Sequence, residues 1–71
     1  MKDLKKEKYE MWQKKLEKLE QEYKEIMLRR GEAMKEGDLR ENAAFQMADE
    51  DASTWRVRIA EVKKILSDLE K

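Results

Sequence analysis

The chain has 71 residues, and 48% of them are charged, with 17 Lys and Arg balanced by 17 Asp and Glu. This balance argues against a general binder of polyanions, and the absence of Cys and His excludes disulfides, thiolate and imidazole metal ligands, and the usual catalytic triads. At this length we expect one small domain over residues 1–71, in which any metal would be held by carboxylate oxygens.

The composition favours long helices. The chain has no Pro and only two Gly, and it is rich in the helix formers Glu, Lys, Leu and Ala. No apolar run approaches the roughly 20 residues of a membrane helix, and the N-terminal segment lacks the apolar core of a signal peptide. We therefore expect an all-α protein located in the cytoplasm.

Each half of the chain carries an apolar seam with alternating steps of three and four residues, the spacing of coiled-coil a and d positions. The first seam contains one polar residue, Arg30, and the second contains none. The pattern predicts helices near residues 4–36 and 42–70. The two seams are Tyr9, Trp12, Leu16, Leu19, Tyr23, Ile26, Arg30 and Ala33, and then Phe45, Ala48, Ala52, Trp55, Ile59, Val62, Leu66 and Leu69.

If the chain folds back on itself, each residue of the first seam has a partner at the same level in the second seam. The residue numbers of every pair then add up to 78, from Tyr9 with Leu69 to Ala33 with Phe45. This register predicts a long antiparallel α-helical hairpin, an intramolecular two-helix coiled coil, with its tip at residues 37–41. It places Tyr23 against Trp55, and Arg30 beside Ala48 within reach of Asp49 or Asp51.

Several apolar residues lie off the seams, and a two-helix rod cannot bury them all. We therefore expect a missing partner surface, or self-association through Met27, Leu28 and Ile65, and at best moderate stability of the isolated chain. The full set is Met11, Met27, Leu28, Val57 and Ile65.

The tip sequence GDLREN allows two local structures. Gly37 suits the left-handed residue that ends a helix, and Asp38 with Glu41 three residues later resembles a capping box that opens the next helix. Alternatively, Asn42 is the N-cap and residues 37–41 form the turn, which leaves both acids free. The second structure agrees better with a hairpin centred on residue 39.

Free carboxylates at these two positions suggest part of a cation site. Side chains three residues apart on a helical turn lie on one side, with Cβ atoms about 5–6 Å apart. Mg²⁺ takes six oxygen ligands, of which one or two are typically carboxylates. Asp38 and Glu41 therefore suggest half of a Mg²⁺ site, to be completed by a partner at the end of the rod.

The segment GDLRENAAFQMADED resembles the tip of the Gre family of bacterial transcript cleavage factors, whose N-terminal coiled-coil hairpin carries G-D-L-x-E-N followed by an aromatic residue. The similarity extends from Gly37 to Arg58 and Ile59. The resemblance covers the N-terminal hairpin and not the C-terminal domain with which such factors dock on RNA polymerase. Met34 and Asp49 stand where many members carry Arg that grips RNA.

The resemblance implies a transcription elongation factor that binds RNA polymerase and is not itself an enzyme. In that family the hairpin enters the polymerase secondary channel, and the polymerase then cleaves its own backtracked RNA. The motif assigns the assisting catalytic acids, shared ligands of Mg²⁺, to Asp38 and Glu41. It assigns the shape of the tip to Gly37, Leu39, Asn42 and Phe45.

Two other interpretations remain open on the sequence. The hairpin is either a structural interaction module in which GDLREN is only a turn, or a regulator that enters the channel without promoting cleavage. The first interpretation makes the acids matter only for helix stability.

Overall fold

The computed structural model describes residues 3–71 and consists there of two α-helices, α1 (Leu4–Met34) and α2 (Ala43–Glu70). They lie antiparallel in a rod measuring 58 × 15 × 12 Å. The predicted all-α hairpin is therefore confirmed. α1 ends two residues earlier than expected, and the connecting segment is residues 35–42. Met1 and Lys2, which the predicted domain included, lie outside the described residues.

Both ends of α1 follow from local hydrogen bonding. The Asp3 carboxylate caps the first turn by accepting from the backbone N–H groups of Lys5 (3.1 Å) and Lys6 (3.2 Å). At the other end, the Lys35 N–H donates to the Glu32 carbonyl, which tightens the last turn. Gly37 follows with φ of +123°, a conformation that favours glycine and turns the chain back.

The predicted seams form the contact between the helices. All sixteen seam positions are buried or half-buried. Three side-chain hydrogen bonds across the rod show the register: Tyr9 to Glu70, Trp55 to Glu22, and Arg30 to Asp49. The residue numbers of these pairs add up to 79, 77 and 79, so the register predicted from the sequence is confirmed. Trp55 accordingly lies at the level of Glu22 and Tyr23.

The rod is thick at its base and slim near its tip. A core cluster contains Leu19, Val62 and Leu66, with partly buried side chains packed around it: Tyr9, Trp12, Leu16, Trp55 and Ile59. Towards the tip the buried residues are Ile26 and three alanines, Ala33, Ala48 and Ala52. Small side chains allow the two backbones to approach closely, so the end that carries GDLREN is narrow.

The off-seam apolar residues do not form one continuous surface. Met27 and Leu28 are exposed, whereas Ile65 is half-buried in a hollow lined by Trp12, Leu19 and Val62. Met27 lies in a different groove, between the two helices. In the described part of the chain, neither helix offers an apolar stretch long enough to cross a bilayer.

Self-association through Met27 and Leu28 stays a prediction. We expect the apparent mass in sedimentation to rise with protein concentration, and the melting temperature to rise with it, because association stabilises the folded chain by mass action. The Leu28→Glu variant should reduce both effects. A constant monomer mass at high concentration would contradict the prediction.

Asn42 joins the two helices at the turn. Its Oδ1 accepts from the Phe45 backbone N–H at 3.0 Å and so caps α2, while its Nδ2 donates to the Ala33 carbonyl at 2.6 Å. The second bond goes to a carbonyl in the last turn of α1 that also accepts from the Glu36 backbone N–H at 3.1 Å, so Asn42 ties α2 to the end of α1. Asp38 therefore does not cap α2, and the capping-box interpretation is wrong, because an amide at position 42 supplies the acceptor for one helix and the donor for the other.

Asn42 is expected to be sensitive even to replacement by Asp. The Asn42→Asp variant keeps an oxygen for Phe45 but loses the donor to Ala33, so we expect a loss of about 1 kcal/mol of unfolding free energy, or roughly 4–8 °C in Tm for a chain of this size. Asn42→Ala loses both bonds, and its cost should be about twice as large. Thermal melting followed by circular dichroism measures both variants.

The control is Asp3→Asn at the N-cap of α1, where only an acceptor is used. Asn and Asp cap equally well, so this exchange should change the stability by no more than a few tenths of a kcal/mol. Equal stability of Asn42→Asp and the wild type would show that the bond to Ala33 contributes nothing.

The base of the rod is closed by two contacts between the chain ends. The Tyr9 hydroxyl donates to Glu70 Oε1 at 2.8 Å, and Lys5 Nζ donates to the Lys71 carbonyl at 3.1 Å. The hydrogen bond to Glu70 and the charge of that carboxylate raise the pKa of Tyr9 above its ordinary value. The contact therefore persists below about pH 10 and is lost as the pH rises through the raised pKa of Tyr9.

Removing the charge at position 70 should lower the pKa of Tyr9 towards its ordinary value, because Gln at this position no longer repels the phenolate. An ultraviolet titration of Glu70→Gln in a Tyr23→Phe background, where Tyr9 is the remaining tyrosine, measures the shift. The same titration of Tyr23→Phe alone is the reference. An unchanged pKa of Tyr9 would show that the contact with Glu70 does not form in solution.

Candidate functional site at the tip of the hairpin

Asp38 and Glu41 lie at the two ends of one tight turn. The Asp38 carbonyl accepts from the Glu41 backbone N–H at 3.3 Å, and Asp38 Oδ1 accepts from the Arg40 N–H at 3.0 Å. A four-residue turn of this kind keeps its first and last Cα atoms within about 7 Å. The structure therefore brings the two predicted acids together at the end of the rod furthest from the chain termini.

The turn is held from below by side chains of α2. Gln46 Nε2 donates to the Arg40 carbonyl at 2.8 Å, and Asn42 bonds to both helices as described above. Gly37 begins the turn with its positive φ, and a Cβ at this position would meet no atom within 4 Å. The need for glycine there is thus conformational and not steric. Leu39, at the apex, is 38% exposed.

Both carboxylates face solvent and have no cationic partner within residues 3–71. One oxygen of Asp38 is used by the turn, and the remaining carboxylate oxygens accept no hydrogen bond in the described chain. Two such charges on one turn repel each other unless a cation lies between them. The arrangement is chemically suited to a hard cation that takes oxygen ligands.

The donor set fits Mg²⁺ only as part of a larger site. Among the described residues no cluster of three or more Asp, Glu, His or Cys is placed to hold a metal. Two carboxylates on a convex turn supply at most a fraction of the six oxygens that Mg²⁺ requires. Asp38 and Glu41 are thus compatible with a shared ion whose other ligands come from a partner.

Beneath the turn, Arg30 connects the two helices. Its Nε donates to Asp49 Oδ1 at 2.9 Å, and its guanidinium carbon lies 4.8 Å from the centre of the Phe45 ring. Its Nη1 also lies 3.9 Å from the sulfur of Met34. The expected pairing of Arg30 with an acid of α2 is confirmed, and the partner is Asp49. Asp51 pairs instead with Arg29, at 3.8 Å.

Phe45 and Met34 contact Arg30 beneath the tip, and these contacts were not among the predictions from the sequence. Phe45 is predicted to shape the tip as the aromatic residue of the motif. It lies in the first turn of α2, where its ring packs against Arg30. The sequence feature that could have predicted these contacts is Arg30 itself, a charged residue at a seam position. An arginine there needs both an anion for its guanidinium and an apolar surface for its stem and the face of the guanidinium.

The tip end of the rod is acidic. Residues 29–51 contain four basic and seven acidic side chains, a net charge of −3. Two of the four cations, Arg29 and Arg30, are already paired with acids of α2. This end of the molecule therefore attracts cations more than it attracts a nucleic acid backbone.

Comparison with known proteins places these features in a family. A family model described as "Transcription elongation factor, N-terminal" (GreA_GreB_N) matches residues 4–70. No individual curated protein and no solved structure matches the chain significantly. The family match covers both helices and the turn between them, which is the whole of the rod described above. The chain therefore belongs to the family of N-terminal domains of Gre transcription elongation factors.

Proposed function

We propose that the hairpin binds RNA polymerase, enters its secondary channel with the acidic tip leading, and stimulates cleavage of backtracked RNA by the polymerase itself. The proposal rests on Asp38 and Glu41, two carboxylates without a cationic partner in the described chain. They lie at the ends of one tight turn, at the tip of a Gre-family hairpin. The enzyme is the polymerase, and the hairpin is a factor that completes its site. Such a function places the protein in the cytoplasm.

The shape of the rod supports insertion. The backbone of the rod is 58 Å long and 15 × 12 Å in cross-section, and three of the four buried residues towards the tip are alanines. A narrow end allows the acids to reach a site that is closed to a globular domain. The seam behind them keeps the helices paired, so the acids arrive in a fixed arrangement rather than on a mobile loop.

The chemistry rests on what Asp38 and Glu41 can offer. Their free oxygens would hold a Mg²⁺ shared with the polymerase, and they would orient a water molecule near it. When bound, such an ion stabilises the attacking and leaving oxygens in phosphodiester hydrolysis. Arg40 donates its backbone N–H to Asp38, which fixes the direction in which that carboxylate points.

Contact with the RNA is expected to be indirect. Asp49 is paired with Arg30 and Asp51 with Arg29, so these two arginines beneath the turn are already engaged with acids, and Met34 and Asp49 add no positive charge beside them. This feature favours a second candidate function, a regulator that occupies the channel without promoting cleavage. A purely structural role for the tip is disfavoured because Asn42 and not Asp38 caps α2.

The test adds the protein to stalled, backtracked polymerase complexes with Mg²⁺ and follows the shortening of the RNA. The Asp38→Asn, Glu41→Gln double variant keeps the oxygen that accepts from Arg40, so the turn should still form while both charges are lost. We expect stimulation to be abolished and the affinity for polymerase to stay within roughly threefold, because the contacts along the rod persist.

A matched control is Glu36→Gln, Glu50→Gln, which removes two charges near the tip without touching the turn. This variant should keep most of the stimulation. Cleavage stimulated fully by the folded Asp38→Asn, Glu41→Gln variant would refute the metal-holding role. A wild-type protein that binds the complexes but blocks the action of other cleavage factors would establish the regulator instead.

A further inference from the structure

A groove runs between the two helices about halfway along the rod. Its floor is apolar, formed by Tyr23, Met27, Ile59 and Ala60. Lys24, Arg56 and Lys63 stand on its rim together with one acid, Glu20. Tyr23 lies fourteen residues before Gly37, so the groove is roughly 20 Å from the tip at ~1.5 Å rise per residue. The proposed function does not use this surface.

The rim cations have no partner within the described chain. Neither Lys24 nor Arg56 nor Lys63 forms a salt bridge in residues 3–71, in contrast to Arg29 and Arg30 near the tip. Three cations face one carboxylate, so the groove carries a net charge of +2. An unneutralised basic rim around an apolar floor indicates an occupant that has both carboxylates and apolar side chains.

The charge of the whole middle section points the same way. Residues 14–25 and 53–64, which face each other across the rod, contain eight basic and five acidic side chains, a net charge of +3. The tip section carries −3. The rod is therefore polarised along its length, and the chain as a whole is neutral only because these sections cancel. A partner that receives the rod must present negative charge at the level of the groove.

We infer that this groove binds an acidic, amphipathic helical segment of the protein into which the rod inserts. By the proposed function, on which this inference rests, that protein is RNA polymerase. The apolar side of the segment would cover Met27 and Ile59, and its Asp or Glu side chains would pair with the rim. Arg56 and Lys63 are seven residues apart on α2, about 10 Å, so the groove accommodates about two turns of a third helix.

Two other occupants fit the groove less well. A second copy docked groove to groove would bring six rim cations together with only two carboxylates, which is electrostatically unfavourable. The self-association predicted above is therefore expected at Leu28 and the outer edge of Met27, because Leu28 lies outside the groove. RNA would satisfy the cations but would leave Met27 and Ile59 without an apolar partner. An acidic amphipathic helix satisfies both the rim and the floor.

The test compares two triple variants that change the net charge equally. Lys24→Glu, Arg56→Glu, Lys63→Glu reverses the groove rim, and Lys14→Glu, Lys18→Glu, Lys64→Glu reverses three exposed cations elsewhere in the same section. Binding to RNA-free core polymerase is measured by titration, and circular dichroism checks that each variant folds. If the first variant does not fold, the neutral Lys24→Gln, Arg56→Gln, Lys63→Gln variant replaces it.

We expect the groove variant to bind polymerase at least roughly tenfold more weakly and the control variant to stay within roughly threefold, because close charge pairs contribute more than distant ones. In the cleavage assay the groove variant should require more protein for half-maximal stimulation, whereas the Asp38→Asn, Glu41→Gln variant should lose the maximal rate. The two assays therefore separate a failure of the groove from a failure of the tip.

Equal loss in the two triple variants, or no loss in either, would overturn the inference, because neither result depends on the groove. A loss seen only when RNA is present would identify RNA as the occupant. A dimer in sedimentation that the groove variant abolishes would identify a second copy. Failure of the wild type to bind core polymerase would refute both the groove inference and the proposed function.

Discussion

The structure depends on a single register between two apolar seams. The helices are antiparallel, so residues near the chain termini pair with each other at the base, and residues near the turn pair with each other at the tip. Large side chains therefore face large side chains at the base, whereas alanines near the tip let the two helices approach closely. A shift of the register by one heptad would place Trp55 opposite Arg30, where the rod is slim. The same pairing fixes where the chain must turn, and so it determines which residues stand at the end of the rod.

In the turn, the bonds made by Asn42 leave the Asp38 carboxylate free of a capping role. Asn42 supplies the N-cap of α2 and also bonds to the end of α1, so the carboxylate of Asp38 is not needed to start a helix. It is used only within the turn, through one oxygen. The two acids therefore stay available at the surface, and the proposed chemistry depends on this division of work between an amide and two carboxylates.

The sequence predicted the helices, the register and the Arg30 pairing because these follow from spacing, which is a property of the chain alone. It could not decide how α2 begins, since Asp38 and Asn42 are both good caps and each suits one of two turns. The burial of Ile65 was also missed, because that residue lies off the seam and its hollow is formed by side chains of both helices, among them Trp12 and Val62. Likewise, which cations stay unpaired depends on side-chain reach across the rod, so the groove rim was not foreseen.

The hydrogen bonds of the connecting segment have a consequence for how such proteins diversify. The hydrogen bonds made by Asp38, Arg40 and Asn42 all have their partners between Ala33 and Gln46. The connecting segment is therefore held by its own residues and by the adjoining helical turns. The long stem is held by a separate set of contacts. A connecting segment of this kind is exchangeable, because residues with other chemistry can replace it on the same pair of helices. Equally, the helices can be lengthened, or their surface charges changed, without altering the segment that they carry.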